Sequence, residues 1–299
     1  MPSAPSAIRV RDRSSGRLFD EQVYGEGALR WVYGTALGRS LENALLSRRF
    51  VSSLMGAFQD SPSSVARIPA FIQQYGIRME EFEPGPFASF NEFFIRRFRP
   101  DARPTAPAPK MAAFAEARYF AWSETNDSTA LPVKGARLSP RQLLAGGVTD
   151  EQAARLAGGP LLLARLCPTD YHRFHFPDSG TWLSCRRVPG RLHSVNPVAL
   201  EARPRTFLEN ERQVSVLDCD ALGLLAFVEV GALGVGRIVQ SREARGRFER
   251  GEEKGYFLFG GSTVIVVGEP GRWSPDEDLL AATAQGIETL IRLGEAVTR

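Results

Sequence analysis

Residues 263–267 constrain the fold most, because every one of them is β-branched and the run directly follows Gly260, Gly261 and Ser262. β-Branched side chains favour an extended backbone, so this segment is predicted to be a strand. Residues 213–217 alternate between apolar and polar side chains, and the apolar run 224–230 ends at a glycine. Turn residues separate these runs closely. The chain beyond about residue 110 is therefore predicted to be rich in strands.

The region before about residue 75 has a helical pattern instead. Apolar side chains recur there every fourth residue in two sets, which are Leu37, Leu41 and Leu45, and then Phe50, Leu54 and Phe58. This spacing places each set on one face of a helix. A new helical start is predicted at Ser61 and Pro62. The two apolar faces either pack on the rest of the protein or form an amphipathic surface that docks on a membrane.

The fold class predicted from these patterns is α+β. We expect a β-rich, mostly antiparallel core, a helical N-terminal region and a C-terminal helix over residues 275–296. Short helices are also predicted at 139–144 and 150–156. A proline-dense connector at 103–109 suggests a division into an N-terminal region, 1–100, and a core, 101–299.

Composition limits the class of protein. Of the 299 residues, 43% are hydrophobic and 24% are charged, which is typical of a folded globular chain. A net charge of +3 is too small to predict nucleic-acid binding, yet it suits an anionic membrane surface. No apolar run reaches the roughly 18 residues of a membrane-spanning helix. Cys167, Cys185 and Cys219 match no zinc pattern, so we expect reduced thiols and no metal. The expected location is cytoplasmic, at the periphery of the membrane.

Two short segments carry the candidate chemistry. Two glycines ahead of Ser262 allow a sharp turn that leaves the carbonyl of Gly261 open to attack by the serine hydroxyl. The segment is neither the nucleophile elbow of hydrolases nor a phosphate-binding loop, and it is also consistent with a simple turn into the strand. His172 and His175 form a pair at spacing three, where both rings are predicted to face one cavity. A metal half-site or a structural role for the pair stays open.

Taken together, these segments resemble the phosphatidylserine decarboxylase family over about residues 33–267. The resemblance is carried by residues 90–94 with Arg103-Pro104 after them, 170–177, 189–197, 228–232, and 251–263. It implies a catalytic core that cuts itself between Gly261 and Ser262, giving a large chain of residues 1–261 and a small chain of residues 262–299. It further implies that Ser262 becomes a pyruvoyl group, whose ketone forms a Schiff base with the substrate amine and accepts the electrons released with carbon dioxide.

The resemblance also assigns roles to other residues. His175 is expected to activate the serine and His172 to handle substrate or protons, although the two roles are interchangeable at this stage. Glu116 stands where the family has an aspartate that orients the histidine, and it is one methylene longer. His193 is expected either to shape the pocket or to have a purely structural role, with Gly260 and Thr263 as supporting residues.

The expected substrate is phosphatidylserine in an anionic membrane, and the product is phosphatidylethanolamine. The partners are the protein's own two chains; a homodimer stays open and no nucleic acid is expected. Three alternatives remain. In the first, the substrate is a soluble amino acid. In the second, the chain is a lipid-binding relative that never matures because of Glu116. In the third, it is a serine hydrolase that uses Ser262. The absent elbow disfavours the last.

Overall fold

The computed structural model describes residues 8–132, 136–233 and 237–299. Residues 1–7 of the predicted N-terminal region lie outside these ranges. The strands in the described ranges are β1 (Arg9–Asp12), β2 (Leu18–Asp20), β3 (Ala117–Trp122), β4 (Thr129–Ala130), β5 (Arg137–Leu138), β6 (Leu161–Leu166), β7 (Arg173–His175), β8 (Gly180–Val188), β9 (Arg212–Cys219), β10 (Gly223–Val230), β11 (Ile238–Gln240), β12 (Gly246–Phe248), β13 (Glu253–Phe257), β14 (Ser262–Gly268) and β15 (Glu288–Ile291).

Helices occupy the N-terminal part and the connections between strands. The α-helices in the described ranges are α1 (Glu26–Gly34), α2 (Ala36–Leu41), α3 (Arg49–Asp60), α4 (Ile68–Tyr75), α5 (Phe90–Phe94), α6 (Pro140–Leu144), α7 (Asp150–Leu156), α8 (Pro197–Ala202), α9 (Thr206–Glu209) and α10 (Glu277–Ala284). A π-helical turn spans Glu42–Leu46, and 3₁₀ turns span Pro62–Arg67 and Met79–Glu81. The predicted α+β class is confirmed, as are α6, α7 and the start at Ser61, whose hydroxyl accepts a hydrogen bond from the Ser63 N–H.

The main sheet holds ten of the described strands in the order β12-β8-β9-β10-β14-β6-β3-β15-β1-β2. Every neighbouring pair in it is antiparallel except β1 with β15, so the prediction of a mostly antiparallel core is confirmed. A smaller sheet has the order β11-β13-β7. Strand β14, predicted from its β-branched run, lies in the middle of the main sheet between β10 and β6.

Both faces of β14 are covered, which explains why its residues 264–267 are all apolar and do not alternate with polar ones. Val264 and Val266 belong to one hydrophobic cluster, whereas Ile265 and Val267 belong to another. Because successive side chains of a strand point to opposite faces, Ser262 shares the face of Val264 and Thr263 shares the face of Ile265. This alternation decides which groups the Ser262 hydroxyl can reach.

Two predicted boundaries are wrong. The N-terminal region is helical from Glu26 onward, but Arg9–Asp12 and Leu18–Asp20 form strands that extend the main sheet. The C-terminal helix ends at Ala284, well short of residue 296. Gly286 follows in the left-handed region at φ 71°, where a helix commonly stops. The next segment, Glu288–Ile291, pairs with both β3 and β1, so sheet hydrogen bonding outweighs the helical pattern.

The two apolar sets of the N-terminal region do not pack against the described core. Leu37 is 71% exposed, Phe50 is 70% exposed and Leu54 is 56% exposed. The remaining members of the sets, Leu41, Leu45 and Phe58, are exposed as well. We call these six side chains the apolar surface. Within the described ranges, no helix has both the length and the apolar character that crossing a bilayer requires.

Candidate active site

Ser262 is the first residue of β14 and is completely buried. The preceding turn runs through Gly260, whose φ of 140° lies outside the range that side chains usually adopt. A Cβ on Gly261 would lie 3.6 Å from Val195, an ordinary van der Waals distance, so neighbouring residues do not crowd this position. The sheet thus fixes the chain from Ser262 onward, and the two glycines before it form the turn.

His172 is the histidine that contacts Ser262. The Ser262 Oγ lies 3.4 Å from His172 Nδ1, and His172 Nε2 lies 2.7 Å from the carbonyl oxygen of Cys167. A carbonyl only accepts, so Nε2 carries the proton and Nδ1 has a free lone pair for the serine O–H. Burial lowers the pKa of His172 to about 3, which keeps the ring neutral near pH 7. Nδ1 is therefore an available proton acceptor beside the hydroxyl.

The turn that presents His172 is fixed from three sides. The Cys167 N–H donates to Asp170 Oδ2 at 2.7 Å, and Asp170 is also ion-paired with Arg118. The Phe257 N–H of β13 donates to the carbonyl oxygen of His172 at 2.9 Å. The His172 ring stacks on Phe94, with centroids 3.9 Å apart and planes inclined by 21°. These contacts set the position and orientation of the imidazole.

His175 lies in different surroundings, so the prediction that both rings face one cavity is wrong. Its Nδ1 is 2.8 Å from the carbonyl oxygen of Gly251, and its Nε2 is 3.1 Å from the Tyr171 hydroxyl. The ring lines a polar cleft of about 270 Å³ together with Arg103. Burial lowers the pKa of His175 as well. His172 lies in the bend before β7, whereas His175 is the last residue of β7, and the two rings have different neighbours.

Glu116 lies directly before β3, and its carboxylate is held by Arg103 through hydrogen bonds of 2.6 and 2.9 Å. The Leu293 N–H donates to the same carboxylate at 3.2 Å. Arg103 is also paired with Glu81 at 2.6 Å. The structure therefore associates Glu116 with the cleft of His175 through Arg103, and it does not bring Glu116 into hydrogen-bond contact with His172.

His193 and Thr263, the remaining predicted residues, are both buried. His193 Nδ1 lies 2.5 Å from Glu42 Oε1, and this contact links the loop before α8 to the π-helical turn of the N-terminal region. The Tyr33 hydroxyl accepts a hydrogen bond from the Ser194 N–H at 2.9 Å and reinforces that link. Among the described residues, the Thr263 hydroxyl has no hydrogen-bond partner. His193 thus braces one wall of the site and does not contact Ser262.

A mostly apolar cavity of about 330 Å³ lies against the turn ahead of Ser262. Gly260 and Gly261 form part of its wall, and Leu29 and Val32 of α1 cover it. Its volume lies at the lower end of the range of small-molecule sites. The predicted serine therefore adjoins a space that a substrate can occupy.

A buried charge network that the sequence analysis did not identify borders this cavity. Arg165 donates to Glu21 at 2.9 Å and to Glu288 at 2.7 Å, and the Cys167 thiol donates to Glu21 at 2.9 Å. Burial raises the pKa of the Cys167 thiol, which stays protonated. The available signal was Arg165 itself, a single charge inside the apolar run Leu161–Leu166. Within the described ranges, no group of three or more histidine, cysteine or acidic side chains is arranged to hold a metal ion.

Comparison with known proteins adds an independent finding. A family model described as phosphatidylserine decarboxylase matches residues 90–298. A phosphatidylserine decarboxylase proenzyme of Ruminiclostridium cellulolyticum is 38% identical over 294 residues, covering 97% of both chains. Proenzymes of the same name from Desulfitobacterium hafniense and Clostridium novyi are each 36% identical, covering 97% of this chain and 97% and 98% of their own lengths.

Proposed function

This chain belongs to the phosphatidylserine decarboxylase family, and from that premise we propose that it cuts itself before Ser262 and then decarboxylates phosphatidylserine to phosphatidylethanolamine. The observation that carries the proposal is the contact of 3.4 Å between the Ser262 hydroxyl and the unprotonated Nδ1 of His172, behind a turn of two glycines. A nucleophile, a base beside it and the adjacent carbonyl of Gly261 are the parts that such a cleavage requires.

In the proposed cleavage, His172 Nδ1 takes the hydroxyl proton while Ser262 Oγ attacks the carbonyl carbon of Gly261. The peptide C–N bond breaks, the nitrogen of residue 262 takes up the proton, and an ester joins the two residues. Elimination then removes the Cα proton of residue 262, which passes to water, and breaks the bond between its Cβ and the ester oxygen. Gly261 leaves as a carboxylate and residue 262 is left with a Cα=Cβ double bond. Hydrolysis of the resulting residue releases ammonia and leaves a pyruvoyl group.

The geometry argues for His172 as the base and for a reversal of the roles first assigned to the two histidines. Both nitrogens of His175 are engaged elsewhere, by the Gly251 carbonyl and the Tyr171 hydroxyl. The carbonyl of Cys167 orients His172, which is the part that an acidic residue plays in a catalytic triad. Glu116 then stabilises Arg103 and the fold around it.

The residues around Ser262 fit a pyruvoyl group at that position. The backbone ladder of β14 would hold it against β6 and β10, and the cavity beside Gly261 gives a substrate amine a route to it. The group supplies an electrophilic ketone that withdraws the electrons left behind when carbon dioxide departs. The apolar wall of the cavity excludes water, and Arg165 at its edge is already neutralised by Glu21 and Glu288. A mostly apolar wall disfavours a carboxylate and so favours its conversion into a neutral gas.

We further propose that the protein is peripheral to the membrane and binds it through the apolar surface. Trp31 of α1 is also 47% exposed, while Leu29 and Val32 of the same helix line the cavity. One helix therefore connects the proposed lipid contact with the proposed substrate site. A lipid head group would enter the cavity while the acyl chains stay in the bilayer.

The substrate test uses phosphatidylcholine vesicles that contain phosphatidylserine labelled in its serine carboxyl group. The native protein is expected to release labelled carbon dioxide from these vesicles and to release far less from free labelled serine at the same concentration. The Ser262→Ala protein is the matched control and should stay uncut and inactive. Equal release from free serine would contradict the lipid substrate, and activity of Ser262→Ala would contradict the mechanism.

A further inference from the structure

The turn ahead of Ser262 needs a restraint from outside, because two consecutive glycines leave the backbone unusually free. Downstream of the turn, β14 fixes the chain through its ladder with β6 and β10. Upstream, the chain is fixed at Phe259, which is only 5% exposed. Its ring packs against Phe90 and Phe94, with centroid distances of 5.4 and 5.1 Å. Packing fixes the ring of Phe259, and a hydrogen bond fixes its backbone.

That hydrogen bond comes from Asn91 of α5. Asn91 is 2% exposed, and its Oδ1 accepts the Phe259 N–H at 2.9 Å. Its Nδ2 donates to Asp60 Oδ1, at the end of α3, at 2.8 Å. The orientation of the amide follows from its partners, because a backbone N–H only donates and a carboxylate only accepts. Both ends of this side chain are thus engaged, one of them by the segment that carries the cleavage site.

The same five-residue helix also contacts the base. Phe94 of α5 stacks on the His172 ring at 3.9 Å, three residues along the chain from Asn91. Helix α5 is held in turn by Ser64, whose hydroxyl accepts the Phe90 N–H at 2.8 Å. One short helix therefore touches both the segment that is cut and the ring that takes the proton.

We propose that Asn91 is a positioning residue for self-cleavage, which sets the carbonyl of Gly261 against the Ser262 hydroxyl by holding the N–H of Phe259. This inference rests on the proposed function, since it needs the chain to cut itself. Asn91 acts through the backbone of residue 259 and touches none of the reacting atoms. Loss of its hydrogen bond frees the upstream end of the turn, and a displacement of about 1 Å lowers a rate on the order of 100-fold.

The test measures the rate of self-cleavage of the full chain, by cell-free synthesis with a labelled pulse followed by a chase and intact-mass analysis. Asn91→Leu removes the acceptor and should slow cleavage about tenfold or more. Asn91→Asp keeps an acceptor but places its carboxylate against that of Asp60, so it should also slow cleavage. Exchanging the pair, as Asp60→Asn with Asn91→Asp, restores the donor and the acceptor. This double variant should cleave within about threefold of the native rate.

A control removes a buried hydrogen bond elsewhere. Thr125→Val deletes the bond from the Thr125 hydroxyl to the Gly159 carbonyl, which is 2.8 Å long and lies near the end of β6 away from Leu166. It should leave the cleavage rate unchanged. Slow cleavage by Asn91→Leu would then not be explained by the loss of a buried hydrogen bond in general. The positioning role is overturned if folded Asn91→Leu cuts at the native rate, or if the exchanged pair is no faster than Asn91→Asp. A native chain that never cuts overturns the proposed function itself, which is a separate result.

Discussion

Replacing His172 with glutamine tests the assignment of the base. Glutamine removes the imidazole Nδ1 that lies 3.4 Å from Ser262 Oγ, yet its amide can still donate to the Cys167 carbonyl where Nε2 does now. The turn of residues 167–172 also keeps its other supports, the Cys167–Asp170 hydrogen bond and the Phe257 N–H. The variant therefore removes the proton acceptor with little change to the architecture around it.

The expected loss is that of a general base. A positioned acid or base typically contributes about 10²- to 10⁴-fold to a rate, equivalent to about 3–5 kcal/mol of activation free energy. Among the described residues, the Ser262 hydroxyl has no other side-chain hydrogen-bond partner. No second acceptor is in place to take over, so we expect His172→Gln to slow cleavage by at least about 100-fold.

Pulse-chase synthesis with intact-mass analysis measures this rate directly, and His175→Asn is the matched control. Asparagine at position 175 can keep a donor to the Gly251 carbonyl, and His175 has no contact with Ser262. We expect this variant to cut within about threefold of the native rate, because it leaves the general base in place. Native-like cleavage by His172→Gln would refute the assignment. Slow cleavage by His175→Asn with rapid cleavage by His172→Gln would restore the roles first inferred from the sequence.

Three further predictions follow from the contacts around the site and the apolar surface. Glu116→Gln should weaken the pair with Arg103 and lower the free energy of unfolding, measured with urea, by about 1–3 kcal/mol. The cleavage rate should change less than about threefold. A 100-fold loss of cleavage would instead make Glu116 the group that orients a histidine. The double variant Leu37→Ser with Phe50→Ser should weaken binding to phosphatidylserine vesicles, measured by flotation, by at least about tenfold. Leu183 is also exposed, and Leu183→Ser should not weaken binding. Equal binding by all of these proteins would show that the apolar surface is not the docking site. His172 has a pKa lowered to about 3 in the folded protein, so its stabilising effect is complete above pH 6.5 and is lost as the pH falls toward 3. The comparison is between the uncut Ser262→Ala protein and the same protein with His172→Gln added. As the pH falls through that window, the unfolding free energy of the first should drop by up to about 1.4 kcal/mol per pH unit more than that of the second. Identical slopes would contradict a buried neutral ring.

Local sequence patterns predicted the centre of the fold well. The β-branched run after Ser262 forms β14, and the alternating and apolar runs before it form β9 and β10. Each pattern reports on its own segment, because burial on one or both faces of a strand determines which residues the strand can hold. The turn ahead of Ser262 was predictable for the same reason, since two adjacent glycines determine it locally.

Features that depend on distant pairing were not predictable in this way. Strand β15 carries a helical pattern, and only its pairing with β3 and β1 selects the extended form. Spacing alone did not decide which histidine reaches Ser262, because the answer depends on the bend before β7 and on the sheet that faces it. The block containing Asn91 supported the resemblance to the family, yet its contact with Phe259 spans 168 residues of sequence.

The intact mass of the purified protein shows whether the chain has cut itself before Ser262. Self-cleavage predicts two chains, residues 1–261 and 262–299, with the smaller one lighter by one ammonia than the same peptide with an N-terminal serine. Ser262→Ala should give a single chain of full length. A native protein that remains one uncut chain and still decarboxylates phosphatidylserine at full rate would rule out a pyruvoyl group made from Ser262.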